Sequence, residues 1–492
     1  MKAVAGKVGG GVTPAAVAIV CLLAFSLAVV QGSPGAIKLI GPVLVIVGVV
    51  LASYRALFRW HNLLAMLLLV ILFIPIRRYT LGGGLPFQLE PYRLFVGLLL
   101  VGWLASLLVD PRVRVRRSFL DGPLLAVTAV AFVTVLANIG SISSQGIWQE
   151  VTKKLTFFLS FLFVFYLFVS LVRTRRQLDQ LLRVLVTGGA VLAVFALIEF
   201  NTGYDFFDHL HHFIPVLHLQ DLPFQSLEVR GGKTRVYASS EHPIALGAAF
   251  VMLTPIAVYF AKRNGGARWW VAAGLLAIGS LATISRTSIL MIIVTAFIYY
   301  RLRPQEIKRL WPLLVPAIVI IHLALPGSLG TLQEAFFPKG GLIAEQQGAQ
   351  NTRGSGRVAD LGPGLSQWAQ QPLFGRGYGT RITDQGAHQN ADILDDQWLG
   401  TLLETGILGV AAWLWVFTRF IRRMMRRARA EAGDEAYFFA GLAAAAISYA
   451  VSMLFYDAFS FIQVTFFLFF VMAFGCARVA IDDRERAAAA PA

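Results

Sequence analysis

Residues 459–476 read FSFIQVTFFLFFVMAFGC, a run with no charged side chain and only Ser460, Gln463 and Thr465 as polar interruptions. It lacks the alternation of apolar and polar residues that a membrane barrel strand needs, and its length suits a helix crossing a bilayer. Working outward, similar runs recur near 13–30, 37–54, 62–76, 94–109, 120–137, 155–172, 181–199, 243–261, 269–284, 287–300, 310–326, 398–417 and 436–456. Composition agrees: the 492 residues are 57% hydrophobic, only 14% are charged, and the mean hydropathy is +0.67. The expected fold is all-α: a polytopic helical membrane protein with about 14 transmembrane helices, or 12 if two runs are re-entrant or interfacial. The segment 13–30 follows Lys2 and Lys7 but no small-residue cleavage site, so it reads as the first span and not as a signal peptide.

The charge of +16 does not form a single basic stripe, which argues against nucleic acid as a partner. It alternates with the apolar runs. Clusters such as Arg112–Arg117 and Arg419–Arg429 fall on one side together with both termini. That side holds 28 of the 43 lysines and arginines, so it is assigned to the cytoplasm. Arg77 and Arg78 fall on the other side against this rule. The expected organisation is an N-terminal group of helices over 1–180, a core over 181–417, and C-terminal helices with a cytoplasmic tail over 418–492. Two long segments, 200–242 and 327–397, are placed outside. Loops of this length in a compact protein usually carry function. In the second, Val358, Leu361, Leu365 and Trp368 recur at helical spacing before Pro372. This reads either as a helix on the membrane interface or as a lid over a lipid-facing cavity.

Cys21 and Cys476 lie in apolar runs and read as small hydrophobes, and no Cys/His spacing suggests a metal. Polar residues at span mouths are more informative. Arg235-Val-Tyr-Ala-Ser-Ser-Glu241-His242-Pro243 leads into a span, with Pro243 suited to the first helical turn. It is either an ordinary solvated helix start or, with Arg235, an anion site. Arg286 in Ser285-Arg286-Thr287-Ser288 sits between two apolar runs. It either snorkels to headgroups or binds phosphate through its planar fork. Asp395-Asp396 stand at the mouth of another span, as a helix cap or as a general base. Gly375-Arg376-Gly377-Tyr378-Gly379 lacks the Lys-Ser/Thr of a phosphate loop and reads as a flexible turn.

In order, these pieces resemble the O-antigen ligase/polymerase family over roughly residues 180–415. Arg235 with Pro243 resembles the family's arginine and proline before a span, and Ser285-Arg286 its Ser-Arg between spans. Gly356-Arg357 followed by Pro372–Gly379 resembles part of its large outer loop. Asp395-Asp396-Gln397-Trp398-Leu399 through Leu403-Glu404-Thr405-Gly406-Ile407-Leu408-Gly409 resembles its "His-Asn-x-Tyr-Leu … Leu-x-Glu-x-Gly" stretch. Asp395 stands where many ligases have His, and Asp396 where they have Asn. The nearby His388-Gln389-Asn390 and His242 are the available substitutes for the missing imidazole, so the identity of the base and the choice of ligase or polymerase stay open.

The resemblance implies a membrane glycosyltransferase in the bacterial cytoplasmic membrane, active on its outer face. It would move a glycan from an undecaprenyl-diphosphate-linked donor to a sugar hydroxyl on a glycan or glycolipid acceptor. Arg235, Arg286 and Arg357 would hold the donor diphosphate. Asp395, Asp396 and His242 would form the catalytic group. Neither a cofactor nor a metal is implied, because guanidinium groups can supply the charge. The competing expectation is a lipid-linked oligosaccharide transporter or flippase, which would favour midplane charges, broken helices and two related halves.

Overall fold

The computed structural model describes residues 59–81, 89–110, 113–220, 229–230, 233–305, 314–327, 357–383, 389–391 and 393–489, with isolated positions between 308 and 341. The chain is an all-α polytopic membrane protein. The helices are α1 (Trp60–Phe73), α2 (Pro91–Val109), α3 (Asp121–Ala137), α4 (Ile139–Gln145), α5 (Trp148–Leu171), α6 (Arg175–Thr202), α7 (Pro243–Asn264), α8 (Ala267–Ala282), α9 (Arg286–Leu302), α10 (Leu314–Ala324), α11 (Arg357–Trp368), α12 (Gln397–Ala430), α13 (Gly433–Ser452) and α14 (Ile462–Ala489).

Among the described residues, seven helices are long and apolar enough to cross a membrane, and eight if α3 and α4, bent by 63° about Asn138, count as one broken span. That is fewer than the expected fourteen. The expected spans at 13–30 and 37–54 lie outside the described residues. Those from 62 onward each overlap a helix, but α1 and α8 have 14 and 16 residues. A straight helix of that length falls short of the roughly 20 residues a bilayer core demands.

The run that opened the sequence reading becomes α14, almost wholly buried at the centre of the bundle. Its phenylalanines interlock with those of α5: Phe161 meets Phe466 edge-on at 4.7 Å between ring centres and stacks on Phe469 at 5.5 Å. Elsewhere α3 packs along α12 and α7 packs along α8 and α13. Helices from 1–180, 181–417 and 418–492 therefore interleave.

The two ends of the bundle differ in kind. At one end, Asp482 of α14 receives Arg175 at 2.8 Å, Arg478 at 2.8 Å and Arg427, while Arg478 also reaches Glu435. Four helices are tied there by one buried ionic knot. At the other end lie the starts of α2, α5, α7, α9, α12 and α14, with Arg235, His242, Arg286, Asp395 and Asp396.

Arg77 and Arg78, which break the charge rule, have a structural explanation at this second end. Arg78 is buried, and donates to Asp205 (2.8 Å), Asp208 (3.0 Å) and the Ser240 carbonyl (2.7 Å). Burial pulls its pKa down, but Asp205 and Asp208 outweigh it and hold the guanidinium above its ordinary value. Arg77 lies 3.3 Å from Glu241. Both arginines are thus held by acids of the chain itself, which gives them a structural role at this end. The adjoining strand β1 (Tyr79–Leu81) pairs antiparallel with β2 (Leu217–Leu219), and β3 (Val229–Arg230) with β4 (Lys233–Thr234). So the described parts of 200–242 are pinned down.

The glycine segment is also fixed, contrary to the expected flexible turn. Helix α12 is broken at Gly406, whose φ of 64° and ψ of −166° leave the helical region. Backbone from 372–377 lies against the break. Arg376 N donates to Leu403 O (2.9 Å), Gly377 N to Glu404 O (2.8 Å) and Ile407 N to Pro372 O (3.0 Å). These bonds satisfy groups that the break releases, as an irregular stretch in a membrane helix requires. The glycines allow the approach. A Cβ on Gly375 would lie 2.6 Å from the Leu403 oxygen, and one on Gly406 would collide with the Leu373 carbonyl. The expected amphipathic helix is α11. Its Gly364 faces Leu399 of α12, while Leu361 and Leu365 remain exposed.

Candidate active site

The site is built from four segments that meet at the motif-bearing end. The first is 235–242. Glu199, near the end of α6, accepts from the backbone of Tyr237 (2.9 Å) and Ala238 (2.8 Å), and Ser239 Oγ donates to the Leu72 carbonyl (2.5 Å). With Arg78 on Ser240, this frame fixes the run-up to α7. His242 caps α7, its Nδ1 accepting from Ile244 N at 3.1 Å, and Pro243 takes the first helical position as expected. A ring nitrogen that accepts from an N–H carries no proton itself, so the proton of the neutral ring is on Nε2.

The second segment is the turn 283–288. Arg235 is buried, and its Nε donates to the Thr283 carbonyl at 3.2 Å. Arg286 follows three residues later, half-buried, at the start of α9. Ser285 caps that helix, accepting from Ser288 N at 3.4 Å. The turn presses on the first turns of α7 at Gly247. Any side chain there would strike Ser288 Oγ, with Thr283 Oγ1 2.7 Å from its Cβ. The fold thus brings Arg235 onto the turn that carries Arg286, beside the N-terminus of α7.

Asp395 and Asp396, both half-buried, precede α12 and form the third segment. Asp396 is the cap, its Oδ1 accepting from Leu399 N at 3.0 Å. Next to it, Gln397 N donates to Met453 O (2.7 Å), Gln397 Oε1 accepts from Phe459 N (2.7 Å), and Trp398 Nε1 donates to Ala450 O (3.0 Å).

Sequence reasoning missed the fourth segment, the turn 453–461 and the first residues of α14. It links the first and the third. One end holds Gln397. At the other, Phe461 stacks obliquely on the His242 ring, 5.1 Å between centres. Gln463 N then donates to Glu241 Oε2 (3.3 Å), and Gln463 Nε2 donates to Ile71 O (2.9 Å). The signal was present in the opening run as a lone glutamine among apolar residues, where a polar side chain is expensive and needs partners. Glu241 was also passed over. Its side chain is nearly buried, and burial pushes the carboxyl up to about 7 against the pull of Arg77. Glu90, before α2, is likewise pushed up by burial. Arg357 is the first residue of α11; its side chain, like Arg353 and His388, lies outside the described residues.

Two guanidiniums beside a helix N-terminus can hold a polyanion, and carboxylates at the mouth of α12 can accept a proton. The family model of O-antigen ligase matches residues 271–414. Residues 271–414 are similar to the O-antigen ligase family. The ligase match takes in Arg286, Arg357, Asp395, Asp396 and the Gly406 break; Arg235 and His242 lie ahead of it, on the segment that packs against it. A search of curated proteins returned no match to the chain.

Proposed function

We propose that the protein transfers a glycan from an undecaprenyl-diphosphate-linked donor to a sugar hydroxyl on a glycan or glycolipid, at the outer face of the cytoplasmic membrane. The observation that carries this reading is the seating of Arg235 on the Thr283 carbonyl, three residues before Arg286, beside the α7 N-terminus. Donor diphosphate is both the handle and the leaving group. As the anomeric carbon–oxygen bond breaks, the electron pair leaves with the diphosphate, and two bidentate guanidiniums stabilise the growing charge. The acceptor oxygen attacks the anomeric carbon and its proton passes to a base. Asp395 is the base in this scheme. Asp396 is occupied as a cap, and His242 presents a protonated Nε2 while its Nδ1 caps α7, which suits it to donate a hydrogen bond. Arg357 is assigned as the third diphosphate contact by its place in the outer loop.

The orientation that goes with this chemistry has both termini in the cytoplasm and 200–242 and 327–397 outside. Single cysteines at Ser226 and Ser355 would then react with an impermeant thiol reagent in spheroplasts.

Single-turnover transfer from a lipid-linked glycan, measured beside donor binding, tests the reading. Arg235→Ala and Arg286→Ala should lose donor affinity. Arg286→Lys should also be impaired, because a point charge does not reproduce the fork. Asp395→Asn should bind donor yet turn over about 10²–10⁴-fold more slowly. Normal turnover in both arginine variants would overturn the donor assignment. A ladder of longer glycans on the same lipid carrier would identify a polymerase, and transfer to another lipid a ligase.

A further inference from the structure

Beside the proposed donor site, a second set of cations rings the start of the central helix α14. Arg77 lies on Glu241 (3.3 Å), Arg93 on Glu90 (3.3 Å) and Lys154 on Glu404 (3.4 Å). The pairs share one asymmetry. The three cationic side chains are 32–42% exposed, while their three acids are 4–16% exposed. A surface ion pair normally leaves both partners in water. Here the acids are sunk into the bundle and the cations stand above them, held in place and still open to solvent.

The pairs are continuous with one another. Glu90 is within electrostatic reach of Arg93, Arg77 and Lys153, which precedes Lys154 and is exposed. Arg93 is also fixed over the Phe157 ring at 4.6 Å. Lys154 donates to the Arg381 carbonyl, and Arg381 N donates to Glu404 at 3.3 Å. The rim therefore runs from Glu241, next to His242, to the loop that follows the Gly375–Gly379 segment. It spans the ground between the α7 and α12 motifs. It also borders the start of α14, the most buried of the membrane-length helices described.

We propose that this rim is a binding track for an acidic saccharide, one bearing carboxylate or phosphate groups along its length, and that it makes the enzyme selective for an anionic glycan over a neutral one. The inference rests on the glycosyl-transfer reading and adds a substrate class to it. Fixed cations at intervals along a rim recognise repeated anions. Their buried acids keep them oriented and cannot themselves reach the ligand.

The test uses the full chain in nanodiscs of neutral lipid. The probes are a galacturonate hexamer, a phosphorylated mannose oligomer, maltohexaose as the neutral control, and farnesyl diphosphate for the donor site. Wild type should bind one or both acidic oligomers at least tenfold more tightly than maltohexaose at low salt, and which one responds names the anion. Arg93→Gln and Lys154→Gln should each weaken that binding about two- to fivefold, as expected for partly exposed charges. Farnesyl diphosphate affinity should be unchanged. Arg93→Lys and Lys154→Arg should restore binding, which separates lost charge from lost fold. Equal affinity for acidic and neutral oligomers, with farnesyl diphosphate still bound, overturns this inference and leaves the donor reading standing. Failure to bind farnesyl diphosphate defeats the donor reading instead. If phosphatidylglycerol in the nanodisc abolishes oligomer binding, and the same glutamine variants lose phosphatidylglycerol, the rim is a headgroup contact and the proposal falls.

Discussion

Replacing Arg78 with methionine keeps most of the side-chain volume and removes the charge that fastens Asp205, Asp208 and Ser240 to the bundle. Three bonds go: Asp205 at 2.8 Å, Asp208 at 3.0 Å and the Ser240 carbonyl at 2.7 Å. Asp208 is 38% exposed and returns to water at a cost of no more than about 1 kcal/mol. Asp205 is 14% exposed, and stranding a buried carboxylate costs about 3–5 kcal/mol. Protonation softens that penalty, so a net loss of about 3 kcal/mol near neutral pH is expected. The pH dependence follows from Asp205. Burial already holds its pKa above the ordinary 3.8, with Arg78 pulling the other way. An acid whose folded pKa is raised favours the folded state below its unfolded pKa, and that contribution disappears as pH rises through the folded pKa. Without Arg78 the folded pKa climbs further. The deficit of Arg78→Met relative to wild type should therefore be small near pH 4 and grow towards pH 8. Thermal unfolding in detergent across that range measures it. Asp205→Asn in the Arg78→Met background should recover part of the loss, the coupling being read from the double-mutant cycle. A deficit independent of pH, or no rescue by asparagine, would refute the assignment of Arg78 as partner of a buried charge.

Glu241→Gln mimics the protonated carboxyl. The stability that wild type draws from proton uptake at Glu241 is full below its ordinary 4.5 and gone above about 7, so the variant's thermal midpoint should gain on wild type over that interval and then level off. A gap that stays constant from pH 4 to 8 would show that Glu241 does not titrate there. Asp482→Asn removes the acceptor shared by Arg175, Arg427 and Arg478, and should cost about 3–5 kcal/mol in detergent unfolding. Cysteine labelling in 235–242 should not change, because the knot is at the far end of the bundle. Gly406→Ala forces a side chain into positive φ and against the Leu373 carbonyl; the strain alone is about 1–3 kcal/mol. Proteolysis within 357–380 should accelerate, and an unchanged cleavage rate would mean that the backbone contact at the break is dispensable.

Much of the helical layout was legible because apolar runs report burial or lipid directly, and Phe459–Cys476 is a clear case. The roles of Pro243 and Asp396 as helix-start residues were legible for a similar reason: capping is local chemistry. What the sequence could not display was pairing across the chain. Arg78 lies 127 residues from Asp205 and 162 from Ser240, and Gln463 lies 392 from Ile71, so no window of sequence contains both partners. The Gly375–Gly379 run looked loose for the same reason, since its partners are the carbonyls of Leu403 and Glu404, which apolar periodicity had assigned to an unbroken helix. Among the described residues, hydropathy reads more spans than there are helices of membrane length, because it sees composition, while α1 and α8 stop after 14 and 16 residues.

The ladder between 372–377 and the break in α12 also bears on the order of assembly. Until that strip of backbone docks, the carbonyls of Leu403 and Glu404 have no partners, and in hydrocarbon each such group costs several kcal/mol. The strip precedes α12 in the chain, so it has already been synthesised when the helix emerges. Neither part is complete alone: the helix lacks acceptors' partners, and the strip lacks a regular structure to join. We therefore expect them to mature as a single folding unit, and α11, tethered to that strip at one end and seated on Leu399 through Gly364, to travel with α12 in any motion that accompanies turnover.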